Sequence, residues 1–185
     1  MNFQKITRIV IIGFVFLFLV AVGSFADSHG LKETSNKTTV DGVVESDEYS
    51  YSHEFKGSTL HANWNSGKVY IGFVADTKGW VGVGFGSTRM NNSHILIGYV
   101  DNGKAKFKEQ IGKGNAHTDT DTSYVQSYEL KEEKGKTTLE FVFNEGDIIQ
   151  SGHNTIDFII AYGKKDSFTQ YHSGTREGFS LEIVK

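Results

Sequence analysis

The sequence predicts an all-β protein built as an antiparallel β-sandwich in one domain. Three observations predict it: short runs rich in β-branched and aromatic residues recur between turn residues, apolar and polar side chains alternate within them, and no long stretch carries a 3.6-residue period. A single domain follows from the length, because 185 residues hold one ordinary core plus a short extra segment.

Residues 1–26 read as an export segment. Lys5 and Arg8 precede an apolar run over 9–22, and Ser24 and Ala26 place small residues at the −3 and −1 positions of a cleavage site. The run of about 14 residues falls short of the roughly 20 that span a bilayer. Cleavage after Ala26 is therefore expected, with no stable membrane span afterwards and an extracytoplasmic location, whether periplasmic, cell-surface or secreted. Residues 27–39 are polar and aperiodic and are expected to form a flexible lead-in. The folded domain is expected over 40–185, with strands at 59–65, 69–76, 80–85, 94–101, 104–111, 124–130, 137–143, 155–162 and 179–184. Turn signals such as Asn65-Ser66-Gly67, Asp101-Asn102-Gly103 and Lys134-Gly135 link them. Residues 144–151 allow one short helical turn at most.

Composition removes several function classes. Cysteine is absent, which excludes disulfides, Cys-ligated zinc, iron–sulfur clusters, a thiol nucleophile and covalently tethered haem. The net charge is −3 with no basic block, so no nucleic-acid partner is expected. The acidic residues form no paired constellation that would mark a hydrolase.

Alternation separates the faces. Leu139, Phe141 and Phe143, and likewise Ile156, Phe158, Ile160 and Tyr162, make apolar faces that belong between two sheets. In the run 79–86, Val81, Val83 and Phe85 point one way, while Trp80, Gly82 and Gly84 line the other. A strand face stripped of side chains either serves close packing or lets a flat group approach the backbone. Next comes Met90, the only methionine after Met1, in a polar loop. It either tucks over the end of the sandwich or offers a soft thioether suited to low-spin haem iron. Seven histidines are available as a second ligand. His29, His53, His61 and His153 read as ordinary surface residues, and His117 as part of a solvated, oxygen-rich loop. His94 lies only four residues from Met90, too near to reach the opposite face of one porphyrin without an unusual turn. His172 is remote in sequence and flanked by Phe168 and Tyr171.

The segment 78–86 with its Gly-Trp strand, then Met90, the apolar strand 95–100 with Asp101-Asn102-Gly103, and finally Ala161-Tyr162-Gly163 with Tyr171-His172 and Arg176, resembles a DOMON domain over about residues 40–184. Asn92-Ser93-His94 stands where that family commonly has Gly-Ala-Asp. The resemblance implies an immunoglobulin-like β-sandwich that binds non-covalent haem b, with Met90 and His172 as axial ligands of the iron. Trp80, Phe85, Tyr99, Tyr162, Phe168 and Tyr171 are then expected as pocket walls. It further implies a one-electron carrier that serves an unidentified redox partner protein and is no enzyme. The alternative is a haem-free module binding a carbohydrate or another small ligand, with Trp64, Trp80 and tyrosines stacked on sugar rings.

Overall fold

Tight hairpins carry most of the chain's path. At Ser66-Gly67, Asn102-Gly103 and Lys134-Gly135 both central residues have positive φ, between 49° and 82°, the geometry whose twist matches that of the flanking strands. The computed structural model describes residues 30–149 and 153–184. The expected export segment and residues 27–29 of the expected lead-in lie outside the described residues.

Two sheets make the sandwich. The five-stranded sheet runs β2-β3-β4-β10-β9, from β2 (Tyr51–Phe55), β3 (Ser58–Asn65), β4 (Lys68–Ala75), β9 (Val125–Glu133) and β10 (Lys136–Asn144). The seven-stranded sheet runs β1-β12-β11-β5-β6-β7-β8, from β1 (Leu31–Lys32), β5 (Val81–Phe85), β6 (His94–Asp101), β7 (Lys104–Lys113), β8 (Ala116–Asp119), β11 (Thr155–Tyr162) and β12 (Arg176–Val184). One turn of helix, α1 (Glu145–Ile148), follows β10, where the sequence allows one. The expected strands all occur, within a few residues at each end.

The core lies between the sheets. Ile71, Phe73, Leu139, Phe141 and Phe143 of one sheet meet Val81, Val83, Leu96, Phe158 and Ile160 of the other, each burial removing apolar area from water and contributing about 1.5–3 kcal/mol. Their period of two is the alternation the sequence displays.

The lead-in differs from expectation where it is described. Leu31 is fully buried, β1 pairs in parallel with β12 through Leu31 and Ile183, and Thr34 N donates to Trp64 O at 2.8 Å. A two-residue strand is too short to display a period, so the pattern could not reveal it. Beyond it, residues 36–50 form a strap over the outer face of the five-stranded sheet. Asn63 Nδ2 donates to Thr38 Oγ1 at 2.7 Å, and Glu140 Oε2 accepts from the backbone N–H groups of Asp41, Gly42 and Val43 at 3.0, 2.6 and 3.1 Å. Glu140 Oε1 accepts from the Tyr49 hydroxyl at 2.6 Å. Under the strap, a Cβ on Gly72 would fall 2.7 Å from Val44 Cγ2 and 3.1 Å from the Tyr49 ring. The strap covers part of that face, and the outer face of the seven-stranded sheet is crossed by two other loops.

Candidate functional site

Outward-facing residues of β11, β5, β6 and β7 stand in two transverse rows: Ile159, Gly84, Ile95 and Gln110, then Ala161, Gly82, Ile97 and Lys108. Trp80, Ile95 and Ile97 are buried here, with Met90, Tyr99, Ala161 and Phe168 packed against them. Two loops rise over this floor and enclose a cavity of about 570 Å³, within the range usual for small-molecule and cofactor sites.

The first loop, 86–93, carries Met90 and is seated by glycines at both ends of its span. A Cβ on Gly112 of β7 would fall 1.6 Å from the Met90 carbonyl oxygen, and one on Gly178 of β12 would fall 1.9 Å from that of Thr88. Asn92 N donates to Gly112 O at 3.0 Å, and Gly112 N donates to Ser93 O at 2.9 Å. Positive φ at Gly86 and Asn92, 84° and 64°, turns the chain in and out of the crossing.

The second loop, 163–175, carries Phe168, Tyr171 and His172. It is tied to the start of β5, where Trp80 N donates to Lys165 O at 3.2 Å and Gly163 N donates to Trp80 O at 2.9 Å. Thr175 N donates to His172 O at 3.0 Å, and the Thr175 hydroxyl touches the carbonyl oxygens of Tyr162 and His172. Phe168 packs on Tyr99 with ring centres 4.8 Å apart. His172 is buried, while Tyr171, 69% exposed, forms the outer lip.

Met90, His172, Trp80, Phe168 and Tyr171 thus come together around one cavity, although the two loops are some 80 residues apart in sequence. Tyr99 backs this wall through Phe168. Phe85 and Tyr162 do not join it. Both lie in the core between the sheets, and Tyr162 donates its hydroxyl proton to Lys56 O; period-two alternation puts them on the opposite face from Trp80 and Gly82. His94 is on that inner face as well, its Nε2 2.7 Å from Glu109 Oε2 and its ring 4.8 Å from that of Tyr124. It therefore cannot serve as a cavity ligand. Trp64 is buried at 5% exposure, with Nε1 donating to Glu145 Oε2 at 3.1 Å, and Trp80 is equally buried. The Trp64 indole offers no exposed face for a sugar ring, while that of Trp80 lines the cavity.

The stripped face of β5 serves the protein's own packing at Gly84, where a Cβ would fall 2.3 Å from Ser93 Oγ and 2.6 Å from Ile159 Cγ2. At Gly82 it would meet Trp80 Cζ3 at an ordinary 3.4 Å. Gly84→Ala is accordingly expected to cost about 1–2 kcal/mol through overpacking and Gly82→Ala less, as chemical denaturation would measure.

Several lining residues were not expected as pocket walls or ligands, among them Ile95, Ile97, Ile159, Arg176 and His117. His117 sits on β8 rather than in a solvated loop. Its Nδ1 lies 2.5 Å from Gln110 Oε1, Gln110 Nε2 donates to Asp119 Oδ1 at 2.6 Å, and Lys108 Nζ donates to Asp119 Oδ2 at 2.8 Å. The imidazoles of His117 and His172 are both shifted below the ordinary histidine range. Burial dominates in each; Asp119 opposes it at His117, and the Arg176 charge reinforces it at His172. Both rings are therefore neutral at pH 7, the form in which an imidazole nitrogen can donate a lone pair to a metal. The donor set, one thioether with neutral imidazole in an apolar enclosure, fits a low-spin haem iron. Among the described residues, no cluster of three or more His, Asp or Glu side chains could hold a free metal ion. Trp80 Nε1 is, among them, the buried side-chain polar atom without a hydrogen-bond partner.

The fold and cavity define a β-sandwich module whose candidate site, a cavity, lies on the outside of one sheet. The chain belongs to the DOMON domain family, whose sequence profile matches residues 56–163. Its fold is similar to the cytochrome b domain of pyranose dehydrogenase from Coprinopsis cinerea, at 13% identity and a TM-score of 0.50 over 68% of this chain and 76% of that one. The cytochrome domain of cellobiose dehydrogenase from Myriococcum thermophilum is similar at 12% identity and a TM-score of 0.50, over 69% and 75% of the two chains. A family 9 carbohydrate binding module from Caldicellulosiruptor kristjanssonii, in complex with glucose, aligns over 83% of this chain and 95% of that one at 9% identity and a TM-score of 0.47. A search of curated protein sequences finds no match to this chain. No helix among the described residues is long and apolar enough to cross a membrane.

Proposed function

We propose that the protein is an exported b-type haem module that carries single electrons to or from a redox partner protein and catalyses no reaction of its own. The observation that carries this reading is the convergence of Met90 and His172, from loops far apart in sequence, on one apolar cavity. Bound haem supplies reversible one-electron chemistry at iron. Met90 and His172 would hold its iron, and Met/His ligation would favour a raised potential. Trp80, Ile95, Ile97 and Phe168 supply the apolar walls, and Tyr171 screens the His172 side from water. Two protein ligands would leave no iron site open to a substrate, which supports a carrier rather than an enzyme. The Lys5, Arg8 and apolar pattern of residues 1–26 supports work outside the cytoplasm.

Titrating the full chain with haemin is expected to give a red, low-spin protein at one haem per chain, and His172→Ala is expected to weaken uptake at least tenfold. A chain that stays colourless overturns the reading, and calorimetry with mono- and oligosaccharides then tests the carbohydrate alternative.

A further inference from the structure

Two histidines line the cavity, and the hydrogen bonds around them prepare them differently. At His172 the ring nitrogen Nδ1 accepts from Gly174 N–H at 3.3 Å. In the neutral ring this leaves the proton on Nε2, so Nε2 becomes a ligand only after the proton moves to Nδ1. The contact is longer than an ordinary N–H hydrogen bond, so little is lost when it opens.

At His117 the arrangement is reversed. Asp119 accepts from Lys108 Nζ and from Gln110 Nε2. The amide nitrogen of Gln110 is thereby committed, and its oxygen is the atom that faces His117 Nδ1 at 2.5 Å. A carbonyl oxygen only accepts, so Nδ1 carries the proton and the Nε2 lone pair is free. A ligating histidine is usually fixed in this manner, by donating its other ring N–H to an oxygen. Gln110 is itself buried at 6% exposure, which holds the amide in place.

Placement decides which side of the cavity His117 serves. It pairs with Gly112 across the β7–β8 ladder, and directly opposed residues of an antiparallel pair face the same way. The Cβ direction of Gly112 points into the Met90 loop, reaching Met90 Cγ at 3.3 Å. His117 and Met90 are therefore neighbours on one wall, with His172 on the other loop.

We propose that His117 is a second ligand position on the Met90 wall, holding the iron of a bound haem through Nε2 when the Met90 thioether is withdrawn. The assignment rests on the haem reading given above. It makes the module one with two ligation states, thioether–imidazole and bis-imidazole, the second at lower potential.

Two measurements test it. In the full chain without haem, NMR of the isotope-labelled imidazoles is expected to find neutral His117 protonated at Nδ1; protonation at Nε2 overturns the proposal whatever haem does. In the haem-loaded chain, Met90→Ala is expected to stay low-spin with a lowered potential, and Met90→Ala combined with His117→Ala to become high-spin. High-spin iron already in the single variant, or low-spin iron surviving in the double one, overturns the proposal and leaves the haem reading standing. Failure of the unaltered chain to take up haemin overturns both readings. Met90→Leu keeps the side-chain volume and loses the sulfur, and it replaces alanine if the loop is loosened.

Discussion

Glu140→Ala is expected to destabilise the protein by about 3–5 kcal/mol, since two backbone N–H groups and a hydroxyl lose their acceptor together, at about 1–3 kcal/mol for each buried one, and a third N–H loses one of two. Glu140 is fully buried on the outward face of β10, and its two oxygens collect the strap through Asp41, Gly42, Val43 and Tyr49. Asp41 Oδ1 still accepts from Val43 N at 2.9 Å if the carboxylate is removed, whereas the Asp41 and Gly42 N–H groups and the Tyr49 hydroxyl lose the acceptor they have. The strap should then detach and expose Gly72, so limited proteolysis within 36–48 is the local readout and urea unfolding the global one. The same side chain makes a pH prediction. Burial raises the Glu140 carboxyl above its ordinary range, outweighing the donors that favour the charged form. A raised folded-state pKa means that the native protein binds the proton more tightly than the unfolded chain. Its contribution to stability is full below the unfolded carboxyl's pKa and is lost as pH rises through the folded value. Glu140→Gln keeps an oxygen for the strap and removes the titration, so its stability is expected to lack that decline. An identical pH profile in both proteins would show that other groups control it.

Gly112→Ala is expected to cost about 2–3 kcal/mol by overpacking and to displace the loop that carries Met90. The Cβ would fall 1.6 Å from a backbone atom, the Met90 carbonyl oxygen, so no rotamer change relieves the overlap. Either β7 shifts or the loop lifts, and the loop is held on this side by the two backbone hydrogen bonds of Gly112 with Asn92 and Ser93 and by Gly114 N donating to Asn91 Oδ1 at 2.7 Å. The loop should yield and carry Met90 off its wall. In a haem-loaded sample this predicts loss of the Met90 ligand with the rest of the sandwich folded, seen as a changed axial spectrum above an unaltered far-UV signal. Retention of thioether ligation in a folded Gly112→Ala protein would show that the loop is not seated through this glycine.

Local pattern carried much of this. Turn residues at 66–67, 102–103 and 134–135 mark hairpins because positive φ is a property of two adjacent residues. The inward set of β10 and β11 is legible because side chains alternate strictly on a strand. The same rule places Phe85 and Tyr162 inside, although their aromatic character attracts them to a list of pocket walls; the face a residue occupies outweighs its chemistry. Met90 and His172 stand out by chemistry, as a lone thioether in a polar loop and a histidine between aromatics. Their shared cavity depends on two loops crossing the same sheet.

The remaining features are relations between distant strands. Leu31 is core because β1 joins β12 in parallel, Glu140 is a clasp because the strap reaches it from about 100 residues away, and Gly112 and Gly178 matter because one loop lies against both. His117 reads as solvated in the chain, but pairing of β7 with β8 places it opposite Gly112 and beside Gln110. Nine of the twelve strands described, their turns and the faces they bury are legible in the chain, since those follow from steric preference and period within a few residues; β1, β2 and β8 are not. Which outward faces are covered, which donors share a cavity and which nitrogen of each histidine is free depend on long-range register and hydrogen bonding, and these emerge with the folded sandwich alone.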